Sequence, residues 1–317
     1  MTSAPTMATL VDDYLVRRRS LGFALEIEAR QLRSFARFAD DSGHRGPLTV
    51  DLITRWATQP GRRSRRFPGR RLDVLRPFAR DRAGIDPATE IPPAGLLGPA
   101  RRRGVHHIYT DAELGSLISE AQKFGPVGSL RPFTYATLFG LLAASGLRVS
   151  EALRLTHTDV DLVHDVITVR MTKFRKSRLV PVHPTTADAL RAYARRRDDV
   201  VARPLTKTFF ATKVGTRLPY STVRSAFLRL RRALGWDRAD PRPRIHDLRH
   251  TFACRRLRAW YAAGIDAAVQ VAALATYLGH AHVTDTYWYL TGSPELLGVA
   301  AMRFERFATP ADAPAVS

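Results

Sequence analysis

Four short stretches of the chain carry side chains able to act on an anionic group. The first is Ala144-Ser145-Gly146-Leu147-Arg148-Val149-Ser150-Glu151, where a glycine break sets Arg148 at the start of a new helix, near the positive end of its dipole. The second is Lys173, in a polar loop between two strand-like runs. The third is His246-Asp247-Leu248-Arg249-His250, in which a helix brings His246 and Arg249 onto one face. The fourth is Leu278-Gly279-His280, followed nine residues later by Tyr289. Guanidinium groups keep their charge at any working pH and can fork two hydrogen bonds onto a phosphate. Imidazoles move protons near neutrality. A tyrosine, with a pKa of about 10, needs a proton acceptor beside it before it can attack anything at neutral pH.

Each stretch alone is unspecific. His246 and His250 stand four apart, which is the spacing of a helical metal site, but no glutamate lies between them and no cysteine is in reach. In order and rough spacing, however, the whole set resembles the tyrosine recombinases of the phage integrase type. The matching residues are Gly146-Leu147-Arg148 with Ser150-Glu151, a strand–Lys173–strand hairpin, His246-Asp247-Leu248-Arg249-His250, and Leu278-Gly279-His280 with Tyr289. The resemblance covers residues 106–307 well and the region before it only loosely.

That resemblance implies a role for each matching residue. Arg148 and Arg249 would clamp the non-bridging oxygens of a scissile phosphate, with His246 and His280 bonding the same phosphate or assisting proton transfer. Lys173 would protonate the leaving 5′ oxygen, Glu151 would support the pocket, and Tyr289 would attack and hold DNA as a 3′-phosphotyrosine. It also implies double-stranded DNA as partner, a homo-tetramer on two DNA sites that is monomeric or weakly associated when free, and no cofactor or metal. The chemistry of the residues agrees with this. Charge that grows on a phosphodiester transition state can be met by two arginines in place of two metal ions. A covalent intermediate conserves the energy of the broken bond, so rejoining needs no ATP, and the chain has no Gly-x-x-x-x-Gly-Lys-[Ser/Thr] loop. Some details depart from the family pattern. The hairpin lysine lies in Thr172-Lys173-Phe174 where relatives carry glycines, Lys176 is a second candidate, Tyr287 is a second possible nucleophile, and His282 lies near His280.

These residues need a scaffold. Residues 1–90 read as helical, with Leu25, Leu32, Phe35, Phe38 and Ala39 at helix-like spacing, a second run after Thr49 through Leu52, Ile53 and Trp56, and a third through Leu72, Leu75, Phe78 and Ala79. A basic cluster, Arg62-Arg63-Ser64-Arg65-Arg66, joins two of these runs and is a candidate phosphate contact. A proline- and glycine-rich stretch starts near residue 86, and residues 91–104 read as a linker ending in Arg101-Arg102-Arg103, also candidate DNA contacts. Residues 105–317 would form the catalytic domain. It opens with a capping-box spacing at Thr110 and Glu113, continues through an apolar helix over about 133–144, and has strands over 166–171 and 179–182 with a polar loop over 172–178. The fold class expected is mainly α with a small antiparallel sheet. The resemblance implies a helical core-binding domain and a catalytic domain closing as a C-shaped clamp around the duplex, and a C-terminal stretch through Leu296, Leu297, Val299, Met302, Phe304 and Phe307 that docks on a neighbouring protomer.

Composition narrows the class of protein. The 317 residues are 45% hydrophobic, enough for two cores, and carry a formal net charge of +21, which points to a polyanion and to steeply salt-dependent binding. Lysine occurs only at Lys123, Lys173, Lys176, Lys207 and Lys213, so arginine supplies the rest of the basic charge. The lone cysteine, Cys254, rules out a disulfide within the chain and a cysteine-built zinc site, and suits a reducing cytoplasm. Asp12, Asp13 and Arg17 to Arg19 interrupt any apolar signal core, and the uncharged stretch between Arg131 and Arg148 falls short of a membrane span, so a cytoplasmic, nucleoid-associated location is expected. A DNA-binding protein that does not cut, and a metal-dependent nuclease with a carboxylate cluster, are the competing readings.

Overall fold

A computed structural model describes residues 5–59, 67–98, 105–126, 128–170, 177–265 and 267–279, together with Thr286. The chain divides into two compact units, residues 1–104 and 105–317.

The first unit is helical: α1 (Met7–Ser20), α2 (Glu26–Asp41), α3 (Val50–Thr58) and α4 (Phe67–Ala83). The Thr49 hydroxyl accepts from the Leu52 amide and so caps α3, satisfying a donor that the first helical turn leaves over. Leu25 departs from the helical reading of its run. It lies just before α2 with a left-handed backbone (φ 47°), so the apolar face of that helix begins at Ala29 and runs through Leu32, Phe35, Ala36 and Ala39. Those side chains meet Leu52, Ile53 and Trp56 of α3 and Leu72, Leu75 and Phe78 of α4 in one core. Phe35 meets Trp56 edge-on at 5.5 Å, and Tyr14 meets Phe78 at 5.3 Å. The chain beyond α4 stays attached to this unit. Arg76 donates to the carbonyls of Pro92 and Pro93, and Leu97 packs against the core. Arg62, Arg63, Arg65, Arg66, Arg101, Arg102 and Arg103 lie outside the described residues.

The second unit opens with α5 (Asp111–Gln122), whose capping box is complete: the Thr110 hydroxyl accepts from the Glu113 amide, and the Glu113 carboxylate accepts from the Thr110 amide. The buried apolar helix α6 (Arg131–Ser145) follows, then the short α7 (Val149–Ala152). A three-stranded antiparallel sheet comes next, made of β1 (Val160–Asp161), β2 (Val166–Val169) and β3 (Arg178–Pro181) in that order. Helices α8 (Pro184–Val200), α9 (Tyr220–Ala233), α10 (Ile245–Ala262) and α11 (Ala267–Leu278) complete the described part. The core is centred on α6, where Phe139 stacks on Tyr135 and meets Phe227 of α9 edge-on at 5.7 Å. Among the described residues no helix is long and apolar enough to cross a membrane.

The hairpin differs from its sequence reading at one end. Arg178, expected in the loop, is the first residue of β3 and pairs with Val169. Strands alternate their faces, so Arg178 shares a face with Val180, which is fully buried. Lys173 and Lys176 fall in the segment 171–176 that joins β2 to β3, outside the described residues.

Phe139 is fully buried, and truncating it should cost far more than losing a cap. Phe139→Ala is expected to destabilise the second unit by about 3–5 kcal/mol and Thr110→Ala by about 1 kcal/mol, read as shifts of the urea midpoint at constant slope.

Candidate active site

The site is assembled where the ends of α6 and α11 meet the starts of α7 and α10. Helix α6 stops at Gly146, which takes a left-handed backbone (φ 63°) and returns its amide to the Leu142 carbonyl. A Cβ there would lie 2.5 Å from the ring of Phe252, so the position has neither the space nor the backbone for another residue. The turn delivers Arg148 to the residue before α7. The dipole expected at this start does not materialise: α7 has only four residues, too few for a macrodipole of any size. What stabilises this start is Glu151, whose carboxylate accepts from the Arg148 amide at 3.0 Å and from Arg148 Nη1 at 2.9 Å.

Arg249 lies one turn after His246 on α10 and is only 2% exposed. Its Nη1 donates to the Gly146 carbonyl at 2.8 Å and its Nη2 to the Leu278 carbonyl at 2.7 Å. Both acceptors stand at helix C-termini, where carbonyls lack helical partners and the dipole is negative. A buried cation is thereby set between two helix ends of opposite sign to itself. Arg148 reaches the next carbonyl along, donating to Gly279 O from Nη1 and Nη2 at 3.3 Å each. Arg178 takes the previous one, with Nε donating to Tyr277 O at 2.7 Å. Successive carbonyls at the end of α11 thus each have a different arginine.

Glu151 sits between two of these guanidiniums and is 2% exposed. Arg178 Nη2 is 2.9 Å from Oε2 and Nη1 is 3.3 Å from Oε1. Burial alone would raise the pKa of this carboxyl. The hydrogen bonds and charge of Arg178, then of Arg148, more than offset that and hold it down at about 2.

His246 stands at the start of α10 with its ring open to solvent at the edge of this cluster. Partial desolvation, and after it the charge of Arg249, push its pKa down to about 4, with Arg148 adding to the effect. The imidazole is neutral at pH 7, and because water still reaches it, an anion arriving between the arginines would raise its pKa again.

Behind the cluster, His250 is buried and stacks on His106 with ring centroids 3.5 Å apart. His106, Asp247 and His250 offer ligand atoms within 4.8 Å of one another, the geometry of a possible metal site. Arg244 makes that a poor cation site. Its Nη2 donates to Asp247 Oδ1 and approaches His106 Nδ1, both at 2.8 Å, and its Nε donates to Asp247 Oδ2 at 3.1 Å. The Asp247 oxygens and the His106 nitrogen that a metal would use already face a guanidinium. The group instead joins the N-terminal segment of the unit to α10, along with the bonds of the Tyr109 amide to Thr251 and of the Tyr109 hydroxyl to the Arg244 carbonyl.

Of the residues singled out from sequence, Arg148, Glu151, His246 and Arg249 are therefore brought together around the Leu278-Gly279 turn. Lys173, His280 and Tyr289 lie outside the described residues, as do Tyr287 and His282. Sequence reasoning missed Arg178. The signal was available: counting back two residues along the strand from the apolar Val180 puts an arginine on the inner face, where it requires an acid.

Comparison with known proteins identifies the family. The family model for the phage integrase family matches residues 109–295. A putative integrase/recombinase of Sinorhizobium fredii, y4rB, is 43% identical over 310 residues, covering 95% of this chain and 98% of its own. The tyrosine recombinase XerA of Thermococcus onnurineus is 33% identical over 152 residues, 48% of this chain and 49% of that one. Among solved structures, the Tn1549 transposon integrase in complex with transposon right end DNA shares the fold with a TM-score of 0.69 at 18% identity, over 96% of this chain and 100% of the other. The chain belongs to the phage integrase family and is an enzyme of the tyrosine recombinase class.

Two outcomes follow from the geometry. Gly146→Ala is expected to destabilise the protein by about 2–4 kcal/mol, from the left-handed backbone and the collision with Phe252, as measured by urea unfolding. Stability should also fall in two stages as pH drops. His246 and His250 have folded pKa values below the ordinary 6.5, so the unfolded chain binds more protons below that pH and stability declines from there. Glu151, with its folded pKa lowered from 4.5 to about 2, holds its contribution above pH 4.5 and loses it between 4.5 and 2. His250→Gln should flatten the first stage and Glu151→Gln the second in urea midpoints taken across pH.

Proposed function

We propose that this enzyme cuts and rejoins duplex DNA by site-specific recombination, integration or transposition, through a 3′-phosphotyrosine on Tyr289 and without metal or ATP. The observation that carries the reading is the convergence of Arg148 and Arg249 on the Leu278-Gly279 turn that precedes His280 in the chain, with His246 near enough for both charges to lower its pKa. Cations that do not titrate, one buried and one partly exposed, are what a phosphodiester transition state needs as its equatorial oxygens gain charge.

In this mechanism Arg148 and Arg249 hold the non-bridging oxygens of the scissile phosphate, with Glu151 keeping Arg148 in place. His246 is neutral before the phosphate arrives, so it can accept a proton or a hydrogen bond as charge builds. The Tyr289 hydroxyl gives up its proton to one of the two histidines, His246 or His280, its oxygen bonds to phosphorus, and the bond from phosphorus to the 5′ oxygen breaks. Lys173 supplies the proton that this oxygen takes up, and His280 bonds the phosphate. Rejoining reverses these steps with the 5′ hydroxyl of another strand. The net charge of +21 and the arginine clusters at Arg62, Arg63, Arg65 and Arg66 and at Arg101, Arg102 and Arg103 suit contact with the DNA backbone. We further propose that four copies assemble on two DNA sites with the C-terminal stretch docking between protomers, and that the enzyme works in the bacterial cytoplasm.

The test is covalent trapping. The protein is incubated in EDTA with nicked duplexes taken from DNA around its own gene, so that religation fails, and run on a denaturing gel beside Tyr289→Phe and Tyr287→Phe. The expected result is a protein–DNA adduct that survives EDTA and disappears only in Tyr289→Phe. No adduct on DNA that the protein binds tightly would favour a binder that does not cut. Loss only in Tyr287→Phe would move the nucleophile.

A further inference from the structure

Arg178 has no role among the residues of the proposed mechanism, yet it makes more contacts with them than any position on a surface strand requires. It is 10% exposed on its side chain. Its guanidinium makes three kinds of contact at once: Nε to the Tyr277 carbonyl, Nη2 to Glu151 Oε2 and Nη1 to Glu151 Oε1. A planar fork fits this arrangement and a lysine ammonium does not, because the carboxylate and the carbonyl must be met along different edges of one rigid group.

Gly279 is built around this side chain. It has a left-handed backbone (φ 68°), and a Cβ there would stand 2.7 Å from Arg178 Nη1 and 3.0 Å from its Cζ. The glycine before His280 is therefore where the Leu278-Gly279 turn lies directly over the Arg178 guanidinium. At its other end, Arg178 pairs with Val169 as the last described pair of the β2–β3 ladder. It therefore stands at the foot of the segment that carries Lys173.

Charge adds a second argument. Arg148 and Glu151 alone would form a neutral pair, with the carboxylate competing for the cation. Arg178 makes the group two guanidiniums to one carboxylate, a net single positive charge, and shares both Glu151 oxygens with Arg148.

We propose that Arg178 is a positioning residue for strand cleavage: it ties the foot of the Lys173 hairpin, the Glu151 carboxylate and the C-terminal end of α11 into one register, so that Arg148, Lys173 and His280 address the same phosphate. This rests on the functional reading above.

The test compares wild type, Arg178→Met and Arg178→Lys in single-turnover adduct formation on the same nicked duplexes, between pH 5 and pH 9, with DNA affinity measured in parallel. Arg178→Met should slow adduct formation by about 100-fold while DNA affinity changes by less than about threefold, since the phosphate clamp is misaligned and the backbone contacts are kept. The acid limb of its rate profile should move to higher pH, because Glu151 loses the partner that keeps it ionised. Arg178→Lys should restore the acid limb and only part of the rate. An Arg178→Met rate within about threefold of wild type overturns the proposal. So does a rate loss matched by lost affinity and uniform in pH, which a merely structural residue would give.

A wild type that forms no adduct refutes the recombination reading instead. The positioning role is then decided on the protein alone, by hydrogen exchange. The amides of residues 277–279 should exchange faster in Arg178→Met while those of α6 keep their protection. Unchanged exchange at 277–279 overturns the proposal in that case.

Discussion

The end of α11 is the point on which the site is built. A helix that stops inside a protein leaves carbonyls without partners, and burying them without donors costs several kcal/mol. Here Tyr277, Leu278 and Gly279 each pass their carbonyl to a different arginine, from β3, α10 and the turn before α7. The same bonds solve the opposite problem, because a buried guanidinium such as Arg249 needs negative charge that does not neutralise it. Helix C-termini provide partial charge only. The arginines are therefore held in place and yet remain cationic.

Several local features follow from that constraint. The glycines at 146 and 279 leave room where Phe252 and Arg178 press on the backbone. Glu151, the one carboxylate these hydrogen bonds draw in among the arginines, is kept ionised by two of them rather than cancelling one. The histidines on α10 are held neutral by desolvation and by the positive charge around them. A site of this kind is electrostatically poised: Glu151, His246 and His250 are each shifted downward, a direction that an arriving anion would oppose.

The arginine-rich composition consequently serves two ends. Some arginines act as internal struts, among them Arg249, Arg178, and Arg197, which is 5% exposed and donates to the Phe209 carbonyl. Others leave the chain strongly basic. A count of basic residues cannot separate these uses, because the burial of a guanidinium depends on acceptors contributed by distant segments.

The sequence by itself determined the family and much of the local structure. Ordered motifs and their spacing identify the family, and the helix starts at Thr49 and Thr110 are legible because a cap is a contact between neighbours in the chain. The mainly helical class and the small hairpin were legible for the same reason, through periodicity. Tertiary structure alone decided which side chains meet. Arg178 and Glu151 are 27 residues apart, and Arg249 and Gly146 are 103 apart. No local pattern encodes such pairs. They follow from where the ends of α6 and α11 come to rest, and that depends on how the core around Phe139 packs α6 and how Phe252 and Leu257 of α10 pack Val271, Leu274 and Leu278 of α11. Sequence spacing also suggested a dipole at Arg148 that four residues of helix cannot supply; there Glu151, three residues on, and Arg178, from a distant strand, take its place.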